Sequence, residues 1–198
     1  MRRVTNAILI SAAIGLLFLI VPERGQSSTQ EDNAKLPKSI FIQSEAMGQA
    51  QQLGRMFSIN LIINEFSTAE DQQVLLEAFN SKKNEGLVNA LSKMKSKGRI
   101  AITGTLGYEV NYIRRFDQPD GSTKIRLVTN RPITFGEAWS DSRSSDYNLS
   151  GMEVILAADK KKNSGILAPA CQFKLDKENH LELELLQNEW KLVNVMQR

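Results

Sequence analysis

The residues best suited to bind another molecule lie in one segment of this sequence, residues 131–147. The segment does not alternate between apolar and polar residues as its surroundings do, which predicts a long loop between strands. Aromatic side chains beside arginines suit anionic or planar ligands, and they also suit a protein partner. The predicted ligand- or partner-binding site therefore consists of four residues: Arg131, Trp139, Arg143 and Tyr147.

The same segment has a simpler interpretation, in which the loop packs against itself. Trp139 would then plug the end of a sheet, and the arginines would pair with nearby aspartates. Compact surface loops commonly pack their own side chains in this way. The sequence alone leaves both interpretations open.

Residues suited to nucleophilic catalysis or metal binding are scarce, since the chain has one histidine, His180, and one cysteine, Cys171. His180 lies in a polar stretch that predicts a solvated turn, whereas a catalytic base needs a nucleophile and an orienting group beside it. Cys171 shares its strand parity with Phe173, which predicts a buried thiol. Most zinc sites need more cysteine and histidine than this chain has. We therefore predict no catalytic residue, no metal site and no cofactor.

Paired carboxylates offer one route to an enzyme. Glu182 and Glu184 share a strand face, and glycoside hydrolases use two carboxylates on either side of the scissile bond. A hydrolase acting on the cell envelope is therefore an alternative function. Leu181 and Leu183 occupy the opposite face of the same strand, which favours ordinary solvent-facing glutamates.

The charge balance argues against nucleic acid as a partner. The full chain has 25 basic and 22 acidic residues, a net charge of +3. Residues 1–27 hold three of the arginines and one glutamate, so the rest of the chain carries 22 basic and 21 acidic residues. A nearly neutral domain without a dense basic stripe lacks the electrostatic footprint of a nucleic-acid-binding protein.

Residues 1–27 have the pattern of a secretory signal peptide. Two arginines precede an uncharged apolar run over residues 7–21, and small residues follow at Gly25 and Ser27. The run is short for a transmembrane helix, which needs about 20 residues. We predict an exported protein, periplasmic or extracellular, that meets the membrane only if its leader stays uncleaved. Residues 28–38 are polar and predict a disordered linker.

The remaining residues, 39–198, predict a single domain that begins with a strand and helices. Apolar and polar residues alternate over residues 57–63, as in a half-buried strand. Ser67 and Glu70 then form the pattern of a capping box, which predicts the start of a helix. Residues 80–86 interrupt the helical pattern before it resumes, so two helices are expected.

From residue 100 onward the sequence predicts strands joined mostly by short turns. Residues 100–115 predict one long strand, with a bend or bulge at Gly104 and Gly107. Short connections imply antiparallel neighbours. The predicted fold is α+β: a strongly curved antiparallel sheet or partial β-barrel of about seven strands, with a two-helix insertion after the first strand.

Several short runs resemble a group of exported bacterial proteins of uncharacterised function. The runs are Gly104–Glu109, Arg131–Ile133, Glu137–Trp139 and Ser142–Tyr147. The resemblance covers most of the chain from about Phe57 onward. It implies a bacterial source and a place in the periplasm or outside the cell, and it implies no activity, ligand or catalytic residue.

The leading functional hypothesis is an exported, non-enzymatic domain that binds a ligand or a protein partner. A barrel with spare volume would also take a small apolar ligand in its mouth. The alternatives are the carboxylate hydrolase and a structural or assembly module. Such a module would recruit another protein through a sheet edge, for which the strand interrupted by Pro169 is the candidate.

Overall fold

The structure is a computed structural model that describes residues 39–134, 147–184 and 189–198. The predicted leader, 1–27, and the predicted linker, 28–38, lie outside these ranges. Neither prediction is therefore tested. Among the described residues, no helix is long and apolar enough to span a membrane.

The described chain forms ten β-strands and one long α-helix, and all neighbouring strands pair antiparallel. The helix α1 spans Ala69–Leu91 and lies between β2 and β3 in the chain. Short 3-10 turns span Ala50–Gln52 after β1 and Lys160–Lys162 after β7. The strands are β1 (Ile40–Met47), β2 (Met56–Ile63), β3 (Gly98–Ile102), β4 (Tyr108–Val110), β5 (Tyr112–Asp117), β6 (Thr123–Thr129), β7 (Leu149–Leu156), β8 (Ser164–Leu175), β9 (Leu181–Glu184) and β10 (Trp190–Gln197).

The strands form a nearly closed barrel in the order β4-β3-β2-β1-β10-β8-β7-β6-β5, and β9 pairs with β8 outside this path. The two end strands, β4 and β5, are separated in the chain by Asn111 alone. The segment after β2 helps to close the gap, because the Ser67 N–H donates to the Ile113 carbonyl (2.7 Å). The Ile113 N–H in turn donates to the Ser67 hydroxyl (3.0 Å). Part of the open edge of β5 is thereby paired, as a sheet edge requires.

Alternate apolar side chains fill the inside of the barrel. Ile59, Leu61 and Ile63 of β2 are all buried, which confirms the alternation predicted for this strand. The Trp190 ring from β10 packs on the Phe57 ring with their centroids 4.6 Å apart. Full burial of an aliphatic side chain such as that of Leu61 contributes about 1.5–3 kcal/mol to stability.

A second core lies on the outer face of the sheet, beneath α1 and β9. This face explains why β6 is buried on both sides from Ile125 to Thr129. Cys171 belongs to this core, and burial raises the pKa of its thiol, so the prediction of a buried cysteine is confirmed. The buried residues of the outer core are Leu75, Phe79, Leu87, Leu91, Tyr112, Val128, Leu149, Ala168, Cys171, Phe173, Leu181 and Leu183.

The predicted strand count of about seven is wrong, because residues predicted as one strand form several. The long strand predicted over residues 100–115 is interrupted by a tight turn between β3 and β4, followed by β5. Gly104 and Gly107 have positive φ angles of 89° and 71°, which favour glycine. At Gly107 an added Cβ would also overlap the carbonyl oxygen of Ile100. The glycines therefore mark a chain reversal rather than a bend.

The predicted position of the helices is also wrong, because α1 follows the second strand. Residues 39–55, where the sequence pattern is ambiguous, contain β1 and its hairpin turn to β2. The prediction of two helices is wrong, because the insertion is the single helix α1, although Lys82 and Lys83 leave helical geometry at the predicted break. Next to this break the Asn84 side-chain amide pairs with both backbone groups of Phe173 on β8 (2.7 and 3.2 Å). Asn84, next to the break, therefore attaches the helix to the barrel.

The helix begins one residue later than the capping box predicts. Thr68 is the N-cap, its hydroxyl accepts from the Asp71 N–H, and the Asp71 carboxylate accepts from the Thr68 N–H. The Ser67 hydroxyl is engaged with Ile113 instead. A tertiary contact thus displaces the predicted capping role by one residue.

Candidate functional site

Two of the four predicted site residues, Trp139 and Arg143, lie outside the described residues. Arg131 is exposed, and its guanidinium carbon lies 5.5 Å from the centre of the Tyr108 ring. Tyr147 is half-buried. The four-residue site therefore stays a prediction, and in the described ranges the aromatic neighbour of Arg131 is Tyr108.

The start of the predicted loop is anchored firmly to the barrel. Ser150 of β7 is fully buried, and its hydroxyl accepts from the Ile133 N–H at 2.6 Å. The same hydroxyl can donate to the Arg131 carbonyl or to the Pro169 carbonyl. Pro169 itself is buried in β8, whose first half lies between β7 and β10 inside the sheet. The hydrogen bonds of Ser150 thus hold the backbone that carries Arg131 in place.

Six of the eight lining residues of a cleft on the outer face of the barrel, which we call the β9 cleft, have ionisable side chains. It has a volume of about 340 Å³ and lies between the β5–β6 hairpin and the turn that joins β8 to β9. Its lining residues are Phe116, Gln118, Lys124, Arg126, Asp176, Lys177, Glu178 and His180. It therefore includes the chain's only histidine and a buried arginine.

Arg126 forms the buried floor of the β9 cleft and is 5% exposed. Its Nε donates to the Glu153 carboxylate on β7 at 2.6 Å, and its Nη1 donates to the Leu181 carbonyl on β9. The Lys124 amine also lies 3.9 Å from Glu153. A buried guanidinium needs such partners, because an unpaired buried charge is very unfavourable. Arg126 is consequently held in one orientation by two neighbouring strands.

A second arginine stands directly beside Arg126. Arg114 on β5 is the register partner of Arg126 on β6, so the two side chains share the outer face. Their guanidinium carbons lie 5.9 and 5.4 Å from the centre of the Phe116 ring. The Arg114 Nε is buried and has no hydrogen-bond partner in the described ranges. Like charges in directly opposed positions destabilise a sheet, so this pair favours a nearby negative charge.

The opposite wall of the β9 cleft is a tight turn built around Asp176. One oxygen of its carboxylate accepts the N–H groups of Glu178 and His180, both at 2.8 Å. Partial burial acts to raise the pKa of Asp176, but these two hydrogen bonds and the nearby His180 side chain together outweigh it and hold the pKa below its ordinary value. Asp176 is therefore a structural anion that shapes the turn, and it is poorly suited to donate a proton.

His180 is positioned by the same turn. Its Nδ1 lies 3.4 Å from the Asp176 carboxylate and 3.6 Å from the Glu178 carboxylate. Its ring meets the Phe116 ring edge-on, with the centroids 5.3 Å apart. The histidine predicted to lie in a solvated turn is thus packed against β5, with 23% of its side chain exposed. Because Nδ1 faces the carboxylates, Nε2 is the ring nitrogen left for another group.

The arrangement combines several cations, of which Arg126 is held by hydrogen bonds, with an aromatic ring. Lys124, Arg126 and Lys177 supply N–H donors along the cleft, and His180 adds one more when it is protonated. Such donors suit a carboxylate or phosphate oxygen. In the described ranges, no three Asp, Glu, His or Cys side chains come together as ligands that could hold a metal ion.

Sequence reasoning missed most of this site. Arg126 and Glu153 occupy outward positions of their strands, where the alternation predicts ordinary solvated charges. The sequence does contain one signal, since Arg114 shares the strand parity of the apolar residues Val110 and Tyr112. Comparison of the chain with protein-family models, curated proteins and solved structures finds no match. The resemblance to exported bacterial proteins therefore stays a prediction.

Proposed function

We propose that this protein is an exported, non-enzymatic binding domain whose β9 cleft takes the anionic group of a small ligand. The observation that carries the proposal is the opposed pair Arg114 and Arg126, next to a cleft that adds Lys124, Lys177 and His180. The export of the domain rests on the pattern of residues 1–27.

The charge arrangement favours an oxyanion over a cation. Glu153 is already engaged with Arg126, and Asp176 is engaged with two backbone N–H groups. Glu178, with 81% of its side chain exposed, is the carboxylate left at the rim. Glu153 already offsets the charge of Arg126, and a bound carboxylate or phosphate would offset the charge of the remaining cations and accept hydrogen bonds from Lys124 and Lys177.

The test is a titration of the purified protein at low ionic strength, followed by amide NMR. Inorganic phosphate is the first probe and acetate is the second, since the two distinguish a phosphate site from a carboxylate site. We expect saturable shifts at residues 176–180 and at Lys124 and Arg126. Added salt should weaken the binding, because the attraction between exposed charges is screened.

Charge variants at the rim test the site without disturbing Arg114 or the buried Arg126. Lys177→Glu should weaken binding about fivefold, and Glu178→Gln should strengthen it about twofold, because single exposed charges contribute about 1 kcal/mol or less. Lys161→Glu is the matched control, since Lys161 is exposed but does not line the cleft. Equal effects of Lys177→Glu and Lys161→Glu, or shifts that do not saturate, would overturn the proposal.

The two alternative functions stay predictions. The carboxylate hydrolase depends on Glu182 and Glu184, and the Glu182 carboxylate lies 3.7 Å from the Lys174 amine with 43% of its side chain exposed, as for an ordinary surface ion pair. The assembly module would need an open strand edge, and the predicted candidate Pro169 is buried. More of the described residues support the binding hypothesis than support either alternative.

A further inference from the structure

A separate cavity lies at one end of the barrel, away from the residues of the β9 cleft, and we call it the end cavity. Its volume is about 580 Å³, within the range typical of small-molecule sites. It is bordered by the end of β7, by the 3-10 turn at Lys160–Lys162 and by the end of β10. None of its lining residues belongs to the β9 cleft.

The end cavity exists because β10 is longer than its pairing with β8. The two strands pair only from Trp190 to Leu192, whereas β10 continues to Gln197. The Asn163 side chain spans the gap: its amide donates to the Val195 carbonyl at 3.0 Å, and its oxygen accepts the Ala157 N–H at 2.8 Å. These two hydrogen bonds therefore fix the positions of Ala157 and Val195 on either side of the opening.

The lining of the end cavity combines apolar side chains with two cations and the polar residues Asn163 and Gln197. Val195 is 3% exposed and belongs to the barrel core, and Leu156 packs against that core. Ala157 and Met196 add further apolar surface, and Met196 is 48% exposed. The charged side chains of the lining are Lys160 and Arg198, both cations.

We propose that the end cavity is a second binding site, for an amphipathic anion with an apolar chain and a carboxylate or similar head group. The chain would lie among Leu156, Ala157 and Val195, and the head group would face Lys160. Burial of apolar surface supplies most of the affinity, and the cation selects the charge of the ligand. This proposal is independent of the function proposed for the β9 cleft.

Decanoate is the probe, and decylamine has the same chain with the opposite charge. Calorimetric titration below the concentrations at which either forms micelles should show saturable binding of decanoate, about tenfold tighter or more than that of decylamine. Amide NMR should place the decanoate shifts at residues 156–163 and 195–198. Inorganic phosphate should leave these amides unchanged, which separates this site from the β9 cleft.

Two variants locate the site within the cavity. Lys160→Glu should weaken decanoate binding about fivefold, while Lys161→Glu, one residue further along the same turn, should leave it unchanged. Ala157→Phe should fill the cavity and abolish binding, with its thermal melting curve checked against that of the parent. Equal affinity for decylamine, equal effects of the two lysine variants, or shifts spread over the whole surface would overturn the proposal.

Discussion

Single carboxylates in this protein do more to arrange backbone than to supply reactive groups. Asp176 closes the turn before β9 by accepting two backbone N–H groups. Asp71 caps α1 and also lies 3.2 Å from the Lys97 amine, which is 3.1 Å from Glu65. Burial alone would lower the pKa of Lys97, but these hydrogen bonds outweigh it and raise the pKa. Asp176 and Asp71 therefore each stabilise one local arrangement of the backbone.

At the residue scale, Asp176→Asn should destabilise the protein at pH 7 by about 0.5–1.5 kcal/mol, as expected for weakened hydrogen bonds. The pKa of Asp176 is lowered in the folded state, so its ionised form adds stability above the unfolded-state pKa, about 3.9. That contribution is lost as the pH falls through 3.9 and then through the folded-state pKa. Urea unfolding of both proteins between pH 7 and pH 3 should show their difference shrinking toward zero.

Asp117→Asn is the control for this experiment, since the Asp117 side chain is 72% exposed. Its effect on the free energy of unfolding should be small throughout the pH range. A difference for Asp176→Asn that does not change with pH would contradict the assigned role of the carboxylate.

At the scale of elements, β9 and the turn before it contribute both to the outer core and to the β9 cleft. β9 pairs with the end of β8, places Leu181 and Leu183 in the outer core, and presents the Leu181 carbonyl to Arg126. The same hairpin carries His180 against Phe116. One short strand therefore connects the stability of the outer core to the shape of the β9 cleft.

The facing of β9 is tested by two neighbouring substitutions. Leu183 is 6% exposed, so Leu183→Ala should cost about 2–5 kcal/mol. Glu182 pairs with Lys174 at 3.7 Å with 43% of its side chain exposed, so Glu182→Ala should change stability by about 0.5 kcal/mol or less. Both values come from chemical denaturation. Equal losses would contradict this facing of the strand.

At the scale of the whole molecule, two cores share one sheet. The inner core fills the barrel, and the outer core lies between the sheet and the cover formed by α1 and β9. Strand β6 contributes Leu127 to the inner core and Val128 to the outer core. Neither core can lose its packing without disturbing the strands on which the other depends, so the two should unfold together.

This coupling predicts a single unfolding transition. Leu61→Ala in the inner core and Leu87→Ala in the outer core, both at fully buried positions, should each lower the free energy of unfolding by about 2–5 kcal/mol. In both variants, far-UV circular dichroism and tryptophan fluorescence should report the same denaturation midpoint. Two separate midpoints in the Leu87→Ala variant would show that the helix and its core unfold independently of the barrel.

Local patterns in the sequence determined the features that depend on neighbours in the chain. The alternation in β2, the apolar parity of Cys171 and the break in α1 are visible without the fold, because strand and helix periods place side chains on predictable faces. The type of turn at a glycine is not fixed by its neighbours in the chain. Gly104 and Gly107 suit a bend and a reversal equally well until the partner strand is known.

Only the tertiary structure decided the number of strands, the closure of the barrel and the location of the β9 cleft. Arg126 and His180 are far apart in the chain and meet because the β8–β9 hairpin folds over β5 and β6. An outward position on a strand gives no sign of whether another element will cover it. Burial of Arg126 and its opposition to Arg114 depend on such long-range contacts, and periodicity carries no information about them.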